Sequence, residues 1–412
     1  MQVDWFLTFA STAIFNSEGN CQLGLATQAP LTSSMPYRLR LPGPTAVPLR
    51  VLEAIGAPIV NHRGPEFRVM YARCEELMRP ILGTTGHPFF LACSGTGAME
   101  ASLVNILAPG ESVLCVIHGH FGERFAAIAK TFGAQVDVVE FPWGTTVDPS
   151  VIEKRVAERN YRAVVVTHNE SSTGVIANLA PIGAILRDRP ALLVVDSVSG
   201  LGGLEMKQDE WGIDILVSAS QKCLMCPPGI GMVSVNQKAW KIVEREDRLP
   251  RYYWDFRKTM ASAEKSETAF TAPVSLMAGL KVALEMIHEE GISNVLARHL
   301  RLSRALRAGC AALGLTGYGE LGALSPTVVA LQVPEKLNGG DIVKRLYEKH
   351  RTVIAGSRNK LAGRVIRIGT MGYLSEEDIL TDLRHLEDVL PDLGFVVTAG
   401  AGVAAATASL HG

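Results

Sequence analysis

Seven short apolar runs, at residues 89–93, 113–118, 135–141, 163–168, 191–195, 214–219 and 230–235, alternate with amphipathic stretches such as 121–132 and 149–160. Runs rich in Val, Ile and Leu, separated by helical patterns rather than tight turns, fit strands buried on both faces. The alternation predicts an α/β fold, a mainly parallel seven-stranded sheet between helices. Ligands of such sheets bind beyond the carboxyl ends of the strands. Past the last run the pattern changes. A helix from Pro273 to Glu289, a helical run over 291–313, a strand at 327–333, a helix at 340–350 and a strand at 364–369 predict a smaller α+β C-terminal domain. The expected division is a large domain over 39–290 and a small one over 291–412.

With 412 residues, 47% of them hydrophobic and 20% charged, the chain can bury a large core. A formal net charge of −1 leaves no footprint for nucleic acid or a polybasic membrane surface. No apolar run is long enough for a spanning helix. Seven scattered cysteines, an odd number, fit reduced thiols in a cytoplasmic setting. Cys223 and Cys226 form a C-x-x-C, but no second pair stands at zinc spacing and no metal is expected. Residues 1–38 do not fit the rest. They are apolar from Trp5 to Phe15 without a basic n-region, so the expectation is a disordered extension or a start assigned upstream of Met35, not a secretory signal.

The residues at the ends of three runs carry the chemistry. The run 215–220 leads into Gln221-Lys222 and then a Pro/Gly turn over 223–229. A lone strand-end lysine ordinarily buries its stem and keeps its head in water. Desolvated at the mouth of a sheet, it loses basicity, and the neutral amine can form a Schiff base with an aldehyde. The run 191–195 ends in Asp196-Ser197-Val198-Ser199, a carboxylate at another strand end. A lysine to carry an aldehyde and an aspartate to keep a pyridine nitrogen protonated are what pyridoxal 5′-phosphate (PLP) requires. The run 89–93 passes into Ser94-Gly95-Thr96-Gly97 and a helical pattern, where amides at a helix N-terminus suit a phosphate. The spacing of these glycines is not a dinucleotide fingerprint.

Five further segments stand in order with these: residues 41–48 (Leu-Pro-Gly-Pro-Thr-Ala-Val-Pro), His62-Arg63-Gly64-Pro65-Glu66-Phe67, Phe121-Gly122-Glu123-Arg124, Asn169-Glu170-Ser171-Ser172-Thr173-Gly174 and Asp209-Glu210-Trp211-Gly212. From about Leu39 to its end the chain resembles the class V PLP-dependent aminotransferases of the alanine–glyoxylate and serine–glyoxylate type. That resemblance implies the PLP-dependent transferase fold type I, a homodimer with shared active sites, and small amino-acid and 2-oxo-acid substrates. It implies Lys222 as the Schiff-base lysine and proton carrier, and Asp196 as partner of the ring nitrogen. Phe121, where many relatives have tryptophan, corresponds to the stacking ring. Ser94, Gly95, Thr96 and Gln221 correspond to phosphate ligands, and Ser171 to a hydroxyl near the phenolic oxygen. Arg367 corresponds to the arginine for the substrate α-carboxylate, a task its planar fork suits. Thr268 and Thr271 correspond to residues that reach the phosphate of a neighbouring subunit, although Thr271 also fits a cap for the helix opened by Pro273.

The reaction implied is transfer of an amino group from serine or alanine to glyoxylate. Relatives acting on aspartate, pyridoxamine or 2-aminoethylphosphonate keep much the same cofactor shell. Arg367 is the one basic residue these motifs assign to a substrate carboxylate. A PLP lyase of the cysteine desulfurase type shares the fold, but such enzymes carry His where Gln221 stands and a cysteine on a Gly/Ser-rich loop. A non-catalytic scaffold would have no need of Lys222, Asp196 and Arg367 together. His118 and His120 flank Gly119 without a third ligand and read as loop histidines.

Overall fold

The computed structural model describes residues 38–412. The expectation for the N-terminal extension lies outside the described residues except at Arg38, which begins a short strand, Arg38–Leu39, paired in parallel with Thr352–Val353.

The central sheet has seven strands: β1 Pro88–Ala92, β2 Ser112–Ile117, β3 Gln135–Glu140, β4 Ala163–Thr167, β5 Leu192–Asp196, β6 Ile215–Ala219 and β7 Ile230–Val235. Their order is β1-β7-β6-β5-β4-β2-β3. Only β7 runs against its neighbours; the pairs β2/β3, β2/β4, β4/β5 and β5/β6 are parallel. Strands β4, β5, β6 and β7 are buried at every residue, as their unbroken apolar runs require. Helix α1 (Gly95–Val104) follows β1 and helix α2 (His120–Thr131) follows β2. Their first turns therefore share the sheet edge where β5 and β6 end, the place at which ligands meet such sheets.

After the sheet come two long helices, α3 (Val274–Glu290) and α4 (Ile292–Ala312). The first residue of α3 is Val274, with Pro273 at the cap, so Thr271 is not its N-cap. A second, antiparallel sheet contains Thr316–Gly317 (β8), Val328–Gln332 (β9), Ala355–Gly356 (β10) and Val365–Gly369 (β11), in the order β8-β9-β11-β10. Helix α5 (Glu376–Val389) packs with α4 around a second apolar core that includes Leu306, Ile366 and Leu383. The N-terminal strand is tied here by Arg40, whose Nε donates to Asp382 at 2.5 Å, both side chains being buried. No helix among the described residues is long and apolar enough to cross a membrane.

Candidate active site

Lys222 lies three residues beyond β6, and the turn at residues 41–43 closes over it. Its Nζ donates to the Pro42 carbonyl, and Thr45 Oγ1 donates to the Lys222 carbonyl at 3.1 Å. Gly43 has φ +88°, and a Cβ there would fall 2.3 Å from the lysine stem, so both backbone and space demand glycine. Burial pushes the Lys222 ammonium down to about 8; Cys223 and Asp196 oppose the fall, whereas Arg367 and Arg124 add to it.

Asp196 is the last residue of β5 and is buried. The Val198 amide donates to its Oδ1 at 2.9 Å, and no described residue donates to Oδ2. Burial lifts its carboxyl to about 6; Glu170 lifts it further, and the Val198 amide, Lys222 and Arg124 pull it down. The turn beyond Asp196 packs on the start of α1. A Cβ on Gly95 would meet a Val198 methyl at 2.8 Å, so glycine lets the two strand ends approach. Ser94 caps α1, and Thr96 Oγ1 accepts from Arg124 at 3.2 Å. Gln221 leaves its side-chain oxygen buried without a partner.

A buried carboxylate organises the opposite wall. Glu170 follows β4 in the hairpin formed by Asn169–Glu170 and Val175–Ile176. Its Oε2 accepts from the amides of Phe121 (2.9 Å) and Gly122 (3.3 Å), and its Oε1 from the amide (3.1 Å) and hydroxyl (2.6 Å) of Ser172. Glu170 thus satisfies free amides in the first turn of α2 and holds Phe121 in place. The Arg124 guanidinium lies 4.8 Å from the centre of the Phe121 ring. The motif containing Glu170 was visible in the sequence; its capping role was not, because the amides it serves are about fifty positions away.

These walls enclose a cavity of about 300 Å³. Four of the expected residues line it: Phe121, Ser171, Lys222 and Arg367. Arg367 is fixed by donating from Nη1 to the Ser171 carbonyl (2.9 Å) and from Nη2 to the Gly356 carbonyl (2.7 Å), while its Nε is buried and unpaired. Ser94, Gly95, Thr96, Asp196 and Gln221 are not in the lining; Thr96 is bonded to the lining's Arg124, Gly95 packs on Val198 just past Asp196, and Gln221 precedes Lys222 in the chain. Thr268 and Thr271 line a separate depression with Tyr253 and Pro273. His120, Trp143 and Arg358 also line the cavity and were not expected there. Arg124 and Arg358 are in the lining beside Arg367.

Comparison with known proteins agrees with this architecture. The family described as Aminotransferase class-V matches residues 43–381. A serine–glyoxylate aminotransferase of Methylorubrum extorquens is 37% identical over 384 residues, covering 90% of this chain and 96% of that protein. An L-aspartate–glyoxylate aminotransferase of Paracoccus denitrificans is 36% identical over 387 residues, covering 91% and 96%. The crystal structure of a ureidoglycine–glyoxylate aminotransferase from Bacillus subtilis superposes with a TM-score of 0.88 at 30% identity, covering 93% of this chain and all of the other. The fold, with its one reversed strand, is therefore that of the fold type I transferases, and the chain belongs to the class V aminotransferases, PLP-dependent enzymes that exchange amino groups between amino acids and 2-oxo acids.

Proposed function

We propose that this chain holds PLP at Lys222 and moves an amino group from an amino acid to glyoxylate, with serine or alanine as the donors implied by the resemblance. The observation that carries the proposal is a buried lysine of lowered basicity in the same cavity as a fixed arginine. Three features fit the cofactor. Asp196 has a buried carboxylate with one oxygen free for a ring N–H, Gln221 has an orphaned polar atom, and the start of α1 packs on the turn after Asp196. Bound PLP supplies an aldehyde for imine formation and a ring that accepts electrons when the substrate α proton leaves.

The chain's own residues do the rest. The Nζ of Lys222 anchors the cofactor and, once displaced by a substrate amine, holds the proton taken from the α carbon. Asp196 keeps the ring nitrogen protonated, Phe121 covers one ring face, and Ser171 serves the phenolic oxygen. The side of the site formed by Ser94, Gly95, Thr96 and Gln221 binds the phosphate. Arg367 orients the α-carboxylate of donor and acceptor alike. Thr268 and Thr271, which do not line this cavity, are proposed to complete the phosphate site of a second copy in a homodimer. Glyoxylate as acceptor rests on the names of the relatives, which share it. A lyase reading finds no support in the lining, which contains no cysteine, and burial holds the nearby Cys223 and Cys226 thiols up at about 12.

The test is an absorbance titration of PLP-loaded protein with serine, alanine and aspartate, followed by glyoxylate or pyruvate. The visible band is expected to disappear with a donor and to return with glyoxylate. A band indifferent to every amino acid would refute transamination. The lysine also sets a pH signature. Only its neutral amine attacks an aldehyde, and about a tenth of it is neutral at pH 7 and nine tenths at pH 9 if it titrates near 8. Cofactor uptake by PLP-free protein is therefore expected to accelerate about tenfold between pH 7 and pH 9, followed by stopped-flow absorbance.

A further inference from the structure

We infer that Asn169 is a positioning residue that acts through the turn after Asp196, holding the Asp196 carboxylate in line with the ring nitrogen of the cofactor. This inference rests on the aminotransferase reading above and adds to it a residue outside the cavity lining.

Asn169 is buried, and it opens the hairpin that follows β4, two residues before Ser171. Its Nδ2 donates to the Ser199 carbonyl (3.0 Å), the Ser199 hydroxyl (2.9 Å) and the Thr327 hydroxyl (2.9 Å), and the Ser199 hydroxyl donates back to the Asn169 carbonyl (2.8 Å). The chemistry of the partners forces this orientation. A backbone carbonyl can only accept, so the amide must turn its nitrogen toward Ser199, and Oδ1 is left buried without a partner. An apolar side chain would avoid the cost of that orphaned oxygen, but it could not hold Ser199.

Ser199 is where the segments that carry the site meet. It ends the turn in which the Val198 amide fixes Asp196 Oδ1 and the Val198 side chain packs against Gly95. Its carbonyl also accepts from Thr327 Oγ1 at 3.0 Å and from the thiol of Cys223, the residue after Lys222, at 3.8 Å. Thr327 in turn immediately precedes β9, the strand that sets Ala330 opposite Arg367. The near end of the turn is anchored separately, the Ser197 amide donating to the Val217 carbonyl (2.9 Å) and the Ser197 hydroxyl bonding to His168 (3.0 Å). Loss of Asn169 therefore leaves β5 in place and frees the far end, at Val198 and Ser199. A shift of Val198 turns the carboxylate it holds, and reaction rates fall steeply with such misplacement.

The test is a double-mutant cycle with Asp196→Asn, read in the dissociation constant for PLP and in the kcat of the loaded proteins. In the parent, Asn169→Ala is expected to weaken PLP binding about tenfold and to lower kcat by a similar factor. In the Asp196→Asn background the same change is expected to cost no more than about twofold, because the charge it positions is already gone. A merely structural role costs the same in both backgrounds, so effects that multiply overturn the inference, as does an Asn169→Ala protein equal to the parent. If Asn169→Ala does not fold, Thr327 carries the test. Thr327→Val removes the hydroxyl that joins Asn169 to the Ser199 carbonyl and is expected to weaken PLP about fivefold, whereas Thr327→Ser keeps that hydroxyl and is expected to stay within about twofold of the parent. Equal losses in the two Thr327 variants overturn the inference. A parent that exchanges amino groups while the cycle shows no coupling refutes only this inference, whereas a parent that takes up no PLP refutes the aminotransferase reading as well.

Discussion

Replacing Lys222 with alanine lowers transamination by at least about 10⁴-fold and leaves PLP-saturated protein without the visible band of covalently held cofactor. Two functions are lost together, attachment of the aldehyde and carriage of the α proton. Nothing else in the lining replaces them. It contains no second lysine, and a guanidinium is a poor proton carrier compared with an amine. His120, the other titratable base there, is paired with the Arg124 guanidinium at 3.5 Å rather than free to move. The fold should tolerate the change, because the alanine only vacates the space beneath Gly43. Added methylamine is therefore expected to restore part of the rate by supplying a mobile proton carrier. A Lys222→Ala protein within tenfold of the parent's rate, or one that keeps the band, would remove this lysine from the mechanism.

Much of this site could be read before the structure, and the reason is periodicity. Each central strand falls within about a residue of its apolar run, since strands buried on both faces leave an unbroken signal and the polar residue that ends each run marks the sheet edge. Lys222 and Asp196 were legible for the same reason: each is a charge at or within three residues of the end of a buried run. The α3 and α4 helices and strands β9 and β11 were equally plain. What was not legible depends on loops meeting across long separations. The Pro42 carbonyl reaches Lys222 from 180 positions away, and Lys360 reaches Glu140 across 220. Neither partner carries a local pattern that announces the other. Arg358 is a further case, because in sequence it is one charge in an irregular stretch, and only the fold places it in the same cavity lining as Arg367. Thr268 and Thr271 show the opposite limit: their proposed role belongs to a second copy, and within one chain they line a separate depression.

Changing Asp196 to asparagine is the substitution that should separate function from stability most cleanly. Activity is expected to fall about 10²- to 10³-fold, because a neutral amide cannot hold the cofactor ring nitrogen protonated and a preorganised charge at the reacting group is lost. Stability should move the other way. The Asp196 carboxyl is raised to about 6 in the folded chain by burial, against an ordinary value of 3.8. Between those two values the unfolded chain gives up its proton first, so rising pH favours unfolding, and above about pH 6 the cost levels off. A shift of that size corresponds to roughly 2–3 kcal/mol. Asparagine keeps the shape and an oxygen for the Val198 amide while removing the charge, so PLP-free Asp196→Asn should melt no lower than the PLP-free parent at pH 8. The parent alone should lose this deficit as the pH is lowered through 6. Thermal melts of the two cofactor-free proteins at pH 5 and pH 8, beside their rates once loaded, test both halves. A variant that loses activity and stability together would make Asp196 a packing residue whose charge is incidental. One that loses activity while holding its melting temperature would mean that the chain tolerates an unfavourable buried charge because only the bound cofactor neutralises it.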